Sequence, residues 1–265
     1  MSQMPDITAT VVFHNEGAFA IPALESFRFM VGAARRHGIK IQTQAVLDRP
    51  DYTTRHVVNT FSDWLDNVEE VNFGDLGLSR NAAVERANGR FLAFFDGDDL
   101  WGAEWLCRAY ALAQASDAPE KIIWHPAWLY YFSEADFDRT VLDATAHPDA
   151  ASFLATHEAS TSDSFDGRGL VLDNVWTANV FAAKELHMRF PYPATDAQRG
   201  VGVEDWSWNL ATLAARIAHL IVPETVHLIR IKESNSVGQR NIAKGLLPNV
   251  PANFLWAKQN ELALR

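Results

Sequence analysis

Phe91-Leu92-Ala93-Phe94-Phe95-Asp96-Gly97-Asp98-Asp99 is the stretch whose reading decides the fold. Phe91 to Phe95 is an unbroken apolar run of strand length, the pattern of a strand covered on both faces. It stops abruptly at three carboxylates and a glycine. Upstream, Leu78 to Ala87 reads as a helix halted near Asn88-Gly89, and Val68 to Phe73 as a short strand. Further back come a helix over Tyr52 to Trp64, a strand over Ile39 to Leu47 that ends at Asp48, and a helix from Phe19 to His37 before Gly38. Leu24, Phe27, Val31 and Ala34 form one stripe of that helix. The first strand, Ile7 to Phe13, ends at His14-Asn15-Glu16-Gly17. Downstream, Gly102 to Ala115 is helical and Ile122 to Trp128 is another strand.

Strands alternating with helices at this spacing give an α/β domain with a mostly parallel sheet and helices on both faces. Ligands of such sheets bind outside the carboxyl ends of the strands. Three polar clusters fall there: His14-Asn15-Glu16, Asp48, and Asp96 to Asp99. Two unit charges 4 Å apart repel by about 4 kcal/mol at an effective dielectric near 20. Carboxylates crowded into one turn therefore suit a hard divalent cation, magnesium or manganese, that completes its shell with phosphate oxygens. Gly97 removes a side chain where a diphosphate or ribose would approach the backbone. The competing reading of the tetrapeptide is a merely solvated Asp-Gly turn, and its place after a buried strand weighs against that.

The chain has 265 residues, 48 % hydrophobic and 21 % charged, with a net charge of −10. It carries no Lys/Arg block, which argues against nucleic acid as a partner. Its single cysteine, Cys107, excludes an internal disulfide framework and fits a reducing compartment. The start shows no signal peptide, and no apolar stretch reaches the roughly 18 residues of a transmembrane segment. The expectation is a cytoplasmic protein, with peripheral attachment to a membrane left open. No GxGxxG follows the first strand and no GxxxxGK[ST] occurs, so dinucleotide and ATP-hydrolysing readings fail.

The second half is less regular. Residues 133 to 170 read as one or two short helices and a long loop. A helix over Trp206 to Ala218 and two strands, His219 to Val222 and Val226 to Ile231, follow. Residues 1–238 are read as one domain. Residues 239–265 are read as a helical tail packed on it. Trp206 and Trp208 read as anchors for their helix, and His125 as a rim histidine with its hydrogen bonds met.

Four segments together resemble the family 2 glycosyltransferases. Phe91 to Asp99 looks like that family's DxD-bearing strand end. Leu78-Ser79-Arg80-Asn81-Ala82-Ala83 through Gly89-Arg90 looks like its "ARN…A.G" helix, and Val11 to Glu16 like its first strand and "YNE" turn. Gly202-Val203-Glu204-Asp205-Trp206 resembles its "GED" motif. Each is weak alone, but they occur in the family's order and span most of residues 7 to 210.

The resemblance implies a single Rossmann-like GT-A domain, with a nucleotide-binding half over 1–130 and an acceptor half over 131–238, and transfer of a sugar from a nucleoside-diphosphate sugar with inversion. UDP-sugars are favoured, with GDP- and dTDP-sugars allowed. The acceptor is a glycan, a lipid-linked glycan or a protein, and the setting is glycan or polysaccharide biosynthesis. His14, Asn15, Glu16 and Asp48 would line the nucleotide pocket, and Arg80 would reach the base or phosphates. Asp96 would contact ribose or metal, and Asp98 would be the main ligand of Mn2+ or Mg2+.

An inverting transfer needs a base on the acceptor side, and general base catalysis is worth about 10² to 10⁴ in rate. Asp205 is the candidate, with Glu204 orienting the acceptor, though the two roles are exchangeable on sequence alone. Both residues also suit a helix N-terminus for reasons unrelated to catalysis. The family pattern breaks at Arg230-Ile231-Lys232, where Lys232 stands in place of a histidine. A lysine does not ligate a metal while protonated but pairs with a phosphate as a point charge. Two other functions stay open: an inactive carbohydrate- or nucleotide-binding module of the same fold, and a sugar nucleotidyltransferase. The second lacks a basic, glycine-rich first loop.

Overall fold

In the computed structural model, residues 4–133, 152–232, 241 and 243–254 are described. The first half of the chain is built from β1 (Ile7–Phe13), α1 (Ala20–Arg36), β2 (Ile41–Asp48), α2 (Tyr52–Thr60), β3 (Asn67–Val71), α3 (Leu76–Arg86), β4 (Phe91–Asp96), β5 (Leu100–Trp101) and α4 (Trp105–Ala115). The rest follows as β6 (Ile122–Ser133), β7 (Phe153–Thr156), β8 (Phe181–Ala183), α5 (Lys184–Arg189), α6 (Glu204–Ala214) and β9 (Ala218–Ile231). One sheet of nine strands runs β3-β2-β1-β4-β8-β6-β9-β5, with β7 paired to β6.

β1, β2, β3 and β4 are parallel, and β6 runs parallel to β9 over the longest ladder. The antiparallel contacts are short: β8 against β4 and β6, β5 against β9, and β7 against β6. Side-chain alternation divides β1 and β4 between two cores. Ile7, Ala9, Val11, Phe13, Phe91, Ala93 and Phe95 pack under α1 and α4. Val12, Leu92 and Phe94 pack on the other face with Ala83 and Val84 of α3 and Trp208 of α6. The apolar run from Phe91 to Phe95, and a β1 that is buried at every position, are thus explained by cover on both sides.

Helix starts follow from capping. The Asp51 side chain accepts from Thr54 N at the head of α2, and Asp75 accepts from Leu78 N at the head of α3. Several boundaries differ from the sequence expectation. α2 ends at Thr60, four residues before Trp64, in a turn through Phe61. α6 begins at Glu204 and ends at Ala214, where Arg216 takes a left-handed φ of 63° and turns the chain into β9. The two expected late strands are one. Glu224 at φ 57° and a register shift between Pro126 and Trp128 bend the β6–β9 ladder without breaking it.

Of the expected helices within 133–170, residues 134–151 lie outside the described residues, and 153–156 form a strand. Residues 255–265 of the expected tail also lie outside them. The described tail touches α6: Asn249 N donates to Ser207 Oγ, and Phe254 joins Leu170, Trp176 and Leu210 in a third apolar cluster. Among the described residues, no helix is long and apolar enough to cross a membrane.

Candidate active site

The parallel strands deliver their carboxyl ends to one rim. Val12 pairs with Asp96 and Phe13 with Leu47, so His14, Asp48 and the acidic turn share one edge of the sheet. His14 Nδ1 lies 2.5 Å from the Asp48 carbonyl oxygen and donates to it, which leaves Nε2 to accept from Asn15 Nδ2 at 3.1 Å. The Glu16 carboxylate folds back onto the His14 N–H at 2.5 Å. Burial, with Asp98 beside it, pushes the Glu16 carboxyl up to about 7.

Asp48 is buried, and its oxygens accept from the backbone N–H groups of Phe73, Gly74 and Asp75 and from Ser79 Oγ. The sequence expected this carboxylate to line the pocket. Its recorded hydrogen bonds instead satisfy the loop that leads into α3 and hold that helix against the rim. Gly97 also has a structural reason to be glycine. A Cβ there would lie 2.3 Å from Phe13 Cδ1, so the acidic turn closes directly over the end of β1.

The three aspartates of the turn have different partners. Asp96 Oδ1 accepts from Arg80 NH2 at 3.0 Å, and its Oδ2 lies 3.4 Å from Asn179 Nδ2. Asp99 is buried and fastens the turn to β9. Its Oδ2 is 2.8 Å from His227 Nε2, and its Oδ1 accepts from Arg230 N at 2.9 Å. Burial together with Asp98 and Asp96 holds the Asp99 carboxyl well above the usual range, and burial holds His227 down at about 3. Asp98 is part-buried and pairs with Lys232 Nζ at 2.5 Å.

Arg80, read from sequence as a base or phosphate contact, is a buried strut. One guanidinium nitrogen holds Asp96 and the other Glu204, and the plane lies over Tyr192. Glu204 opens α6, which comes close to α3 because Gly77 has no side chain; a Cβ there would lie 2.4 Å from Pro193 O and 3.1 Å from Glu204 Cβ. Val203, just before, is a β-branched residue at φ 56°, a strained conformation of the kind that gathers at functional sites.

Asp205 is differently placed from Glu204. Its Oδ2 accepts from Asn174 Nδ2 at 3.0 Å, and its Oδ1 accepts its neighbour Trp206 N at 2.8 Å. Asn174 is in turn held by Asn209 Nδ2 at 3.0 Å. Burial, with Glu204 adjacent, raises the Asp205 carboxyl to about 7 against the opposing pull of Arg80. Arg80 therefore joins the acidic turn to Glu204, and Asp205, poised near neutrality, is the next residue on the same helix start.

Residues 10–141 match the family described as Glycosyl transferase family 2. The chain belongs to that family over this stretch. None of the curated proteins compared matches it. Among solved structures it is similar to residues 1–349 of S. aureus TarS in complex with UDP-GlcNAc, at 15 % identity and a TM-score of 0.60, covering 87 % of this chain and 60 % of that one. It is also similar to the mannosyltransferase PcManGT from Pyrobaculum calidifontis in complex with GDP-Man and Mn2+, at 16 % identity and a TM-score of 0.57, covering 99 % and 70 %. At these identities the likeness shows a shared GT-A fold. The chain spans 60 % of the TarS fragment's length.

Within this family 2 domain, the residue that could hold a metal is Asp98, with Glu16 near enough to feel its charge. Among the described residues, no group of three His, Cys, Asp or Glu side chains is arranged to cage an ion. One or two carboxylates fit a cation shared with phosphate oxygens and water, as magnesium usually is. Asp96 is less available, since Arg80 and Asn179 already face its two oxygens.

Other expectations resolve plainly. Trp208 Nε1 donates to Phe190 O and Trp206 Nε1 to Leu170 O, so both indoles anchor α6. His125 is buried rather than at the rim, stacked on Trp176 and 2.9 Å from His219 Nδ1. Asn174, Asn179, Asn209 and His227 were missed by sequence reasoning. The asparagines and the lone histidine belong to no local motif, and only the tertiary fold brings them to the acidic turn and to Asp205.

Proposed function

We propose that this domain transfers a sugar from a nucleoside-diphosphate sugar to an acceptor hydroxyl with inversion. The observation that carries this is the Arg80 bridge, which sets the Asp96–Asp98 turn and the Glu204–Asp205 helix start on one rim. The nucleotide sits over His14-Asn15-Glu16, and the diphosphate faces Asp98, Lys232 and the Arg230 side of β9. UDP-sugars are the first candidates, and the UDP-GlcNAc and GDP-Man complexes of the similar folds make both nucleotides worth testing. The acceptor is a glycan, free, lipid-linked or on a protein, in glycan or polysaccharide biosynthesis.

Asp205 is the base in this reading. Its carboxylate takes the proton from the acceptor hydroxyl as that oxygen bonds to the anomeric carbon. The bond from that carbon to the diphosphate breaks on the opposite face, and the bonding pair leaves with the diphosphate. Glu204 is tied to Arg80, so of the two exchangeable carboxylates Asp205 is the freer to accept a proton. A pKa near 7 lets it be ionised at neutral pH and still bind a proton usefully. A divalent cation held at Asp98, when bound, supplies charge neutralisation on the departing diphosphate.

A panel of nucleotide sugars, scored for nucleoside-diphosphate release with and without Mn2+, tests the proposal. The wild-type domain should turn over one of them, and Asp205→Asn should bind the same donor without transfer. Transfer by Asp205→Asn at the wild-type rate would overturn the base assignment. Donor binding without any turnover would favour a non-catalytic binding module. Release of pyrophosphate from a sugar phosphate and a nucleoside triphosphate would favour a nucleotidyltransferase.

A further inference from the structure

The carboxyl end of β9 presents two cations to the acidic turn. Arg230 is the last residue but one of β9, and Lys232 follows directly after its end. Arg230 is fixed there: its backbone N–H bonds to Asp99 Oδ1 at 2.9 Å, its Nε to the Asp98 carbonyl at 3.1 Å, and its guanidinium lies 4.5 Å from the Phe19 ring centre and 4.9 Å from that of Phe132. Lys232 is held differently. Its Nζ is 2.5 Å from Asp98 Oδ2 and 5.9 Å from the Phe19 ring centre, and the two side chains of the pair are 21 % and 19 % exposed. Glu16, on the first loop, feels the charge of both partners. An ammonium thus stands beside the one carboxylate of the turn that is left for a cation, at an opening to solvent.

A lysine ammonium is a compact charge on a flexible stem and re-aims easily, whereas the stacked Arg230 does not. A diphosphate arriving at this edge brings more negative charge than Asp98 carries. The ammonium gains by turning toward it, and Asp98 is released to a divalent cation if one is present. We propose that Lys232 is a tethered cation that holds Asp98 while no donor is bound and pairs with the donor diphosphate afterwards, supporting nucleotide binding when divalent metal is absent. This rests on the reading of the rim as a nucleoside-diphosphate site. It predicts that Lys232 and a divalent cation compete for Asp98 in the free protein and share the diphosphate in the complex.

Calorimetry with UDP and GDP, in Mn2+ and in EDTA, decides the matter on wild type, Lys232→Met and Lys232→Arg. The expected result is wild-type binding in EDTA that Lys232→Met weakens tenfold or more and Lys232→Arg largely restores. In Mn2+ the Met variant should lose less than in EDTA, and titration of Mn2+ alone should show tighter binding to Lys232→Met than to wild type. Equal affinity of wild type and Lys232→Met in EDTA, with Mn2+ binding unchanged, overturns the tethered-cation role and leaves the donor site standing. Absence of nucleotide binding by the wild type with or without Mn2+ overturns the site itself. Matching thermal midpoints of the three proteins exclude unfolding as the cause of a loss.

Discussion

Arg80 and Glu204, 124 positions apart in sequence, form a buried ion pair that links the helix before the acidic turn to the helix that carries the candidate base. Arg80 is only 1 % exposed and has two carboxylate partners, Glu204 and Asp96. Removing one side of a buried pair leaves an uncompensated charge and costs about 3–5 kcal/mol. Arg80→Met should therefore destabilise the domain by that order in urea unfolding. Arg80→Lys keeps one charge but not the two-pronged reach, and should fall between. An Arg80→Met protein as stable as wild type would mean that the bridge contributes nothing to the fold.

The Asp205 carboxyl has a direct consequence for rate. Its pKa is raised by burial and by Glu204 to about 7, and a base must be unprotonated to act. kcat/KM for the acceptor should therefore fall as pH drops below about 7, approaching tenfold per unit, and level off above it. Stability has the opposite sign. The folded state holds this proton more tightly than the unfolded chain, so the group's stabilising contribution is full below its ordinary pKa and is lost as pH rises through about 7. Asp205→Asn should lose about 10² to 10⁴ in rate and gain stability over wild type at pH 8. A pH–rate profile flat from 5 to 8 would separate Asp205 from the proton transfer.

Much of the first half of the chain was legible because its signals are local. β4 is apolar from Phe91 to Phe95, β1 is buried throughout with only Thr8 and Thr10 polar, α1 carries a clear stripe, and the polar residues at the strand ends follow directly in the chain. The roles within the site were less legible. Asp96, Asp98 and Asp99 look alike in sequence, yet one faces a buried arginine, one a part-buried lysine and one a buried histidine. Those partners come from α3, from β9 and from just beyond its end, and no periodicity encodes such pairings. Gly97 was legible as a tight approach, but the group approached is Phe13 of the protein itself. β9 was read as two strands because Pro223 and Glu224 interrupt its apolar pattern, whereas the ladder with β6 resumes after the bulge.

Asn174 is a positioning residue for Asp205. Its Nδ2 donates to Asp205 Oδ2 at 3.0 Å, and Asn209 holds its Oδ1 at 3.0 Å. A donor to a carboxylate favours the charged form, so its loss should raise the pKa of Asp205 further. Asn174→Ala should shift the acidic limb of the pH–rate profile upward and lower kcat, since small misplacements of a reacting group cost up to about 10²-fold. Donor affinity should stay within about twofold. A lower rate with an unmoved acidic limb would assign Asn174 a purely structural part.

Gly77 tests whether the distance between α3 and α6 matters to function. Its backbone is ordinary helix, so the constraint is space rather than φ: a Cβ would meet Pro193 O at 2.4 Å and Glu204 Cβ at 3.1 Å. A backbone carbonyl cannot swing away as a flexible side chain can, so the loop before α6 must shift outward. Overpacking of this kind costs about 1–3 kcal/mol. Gly77→Ala should lower stability by that order and move Glu204 away from Arg80, with Asp205 carried along on the same helix start. Transfer should then fall more than donor binding does, because Asp98 and Lys232 lie on the turn after β4 and just beyond the end of β9, not on the displaced loop. Compared with Ala82→Gly on the same helix, which removes a methyl group and adds none, Gly77→Ala should show the larger ratio of lost kcat to lost donor affinity. Equal ratios in the two variants would mean that the α3–α6 approach serves stability alone.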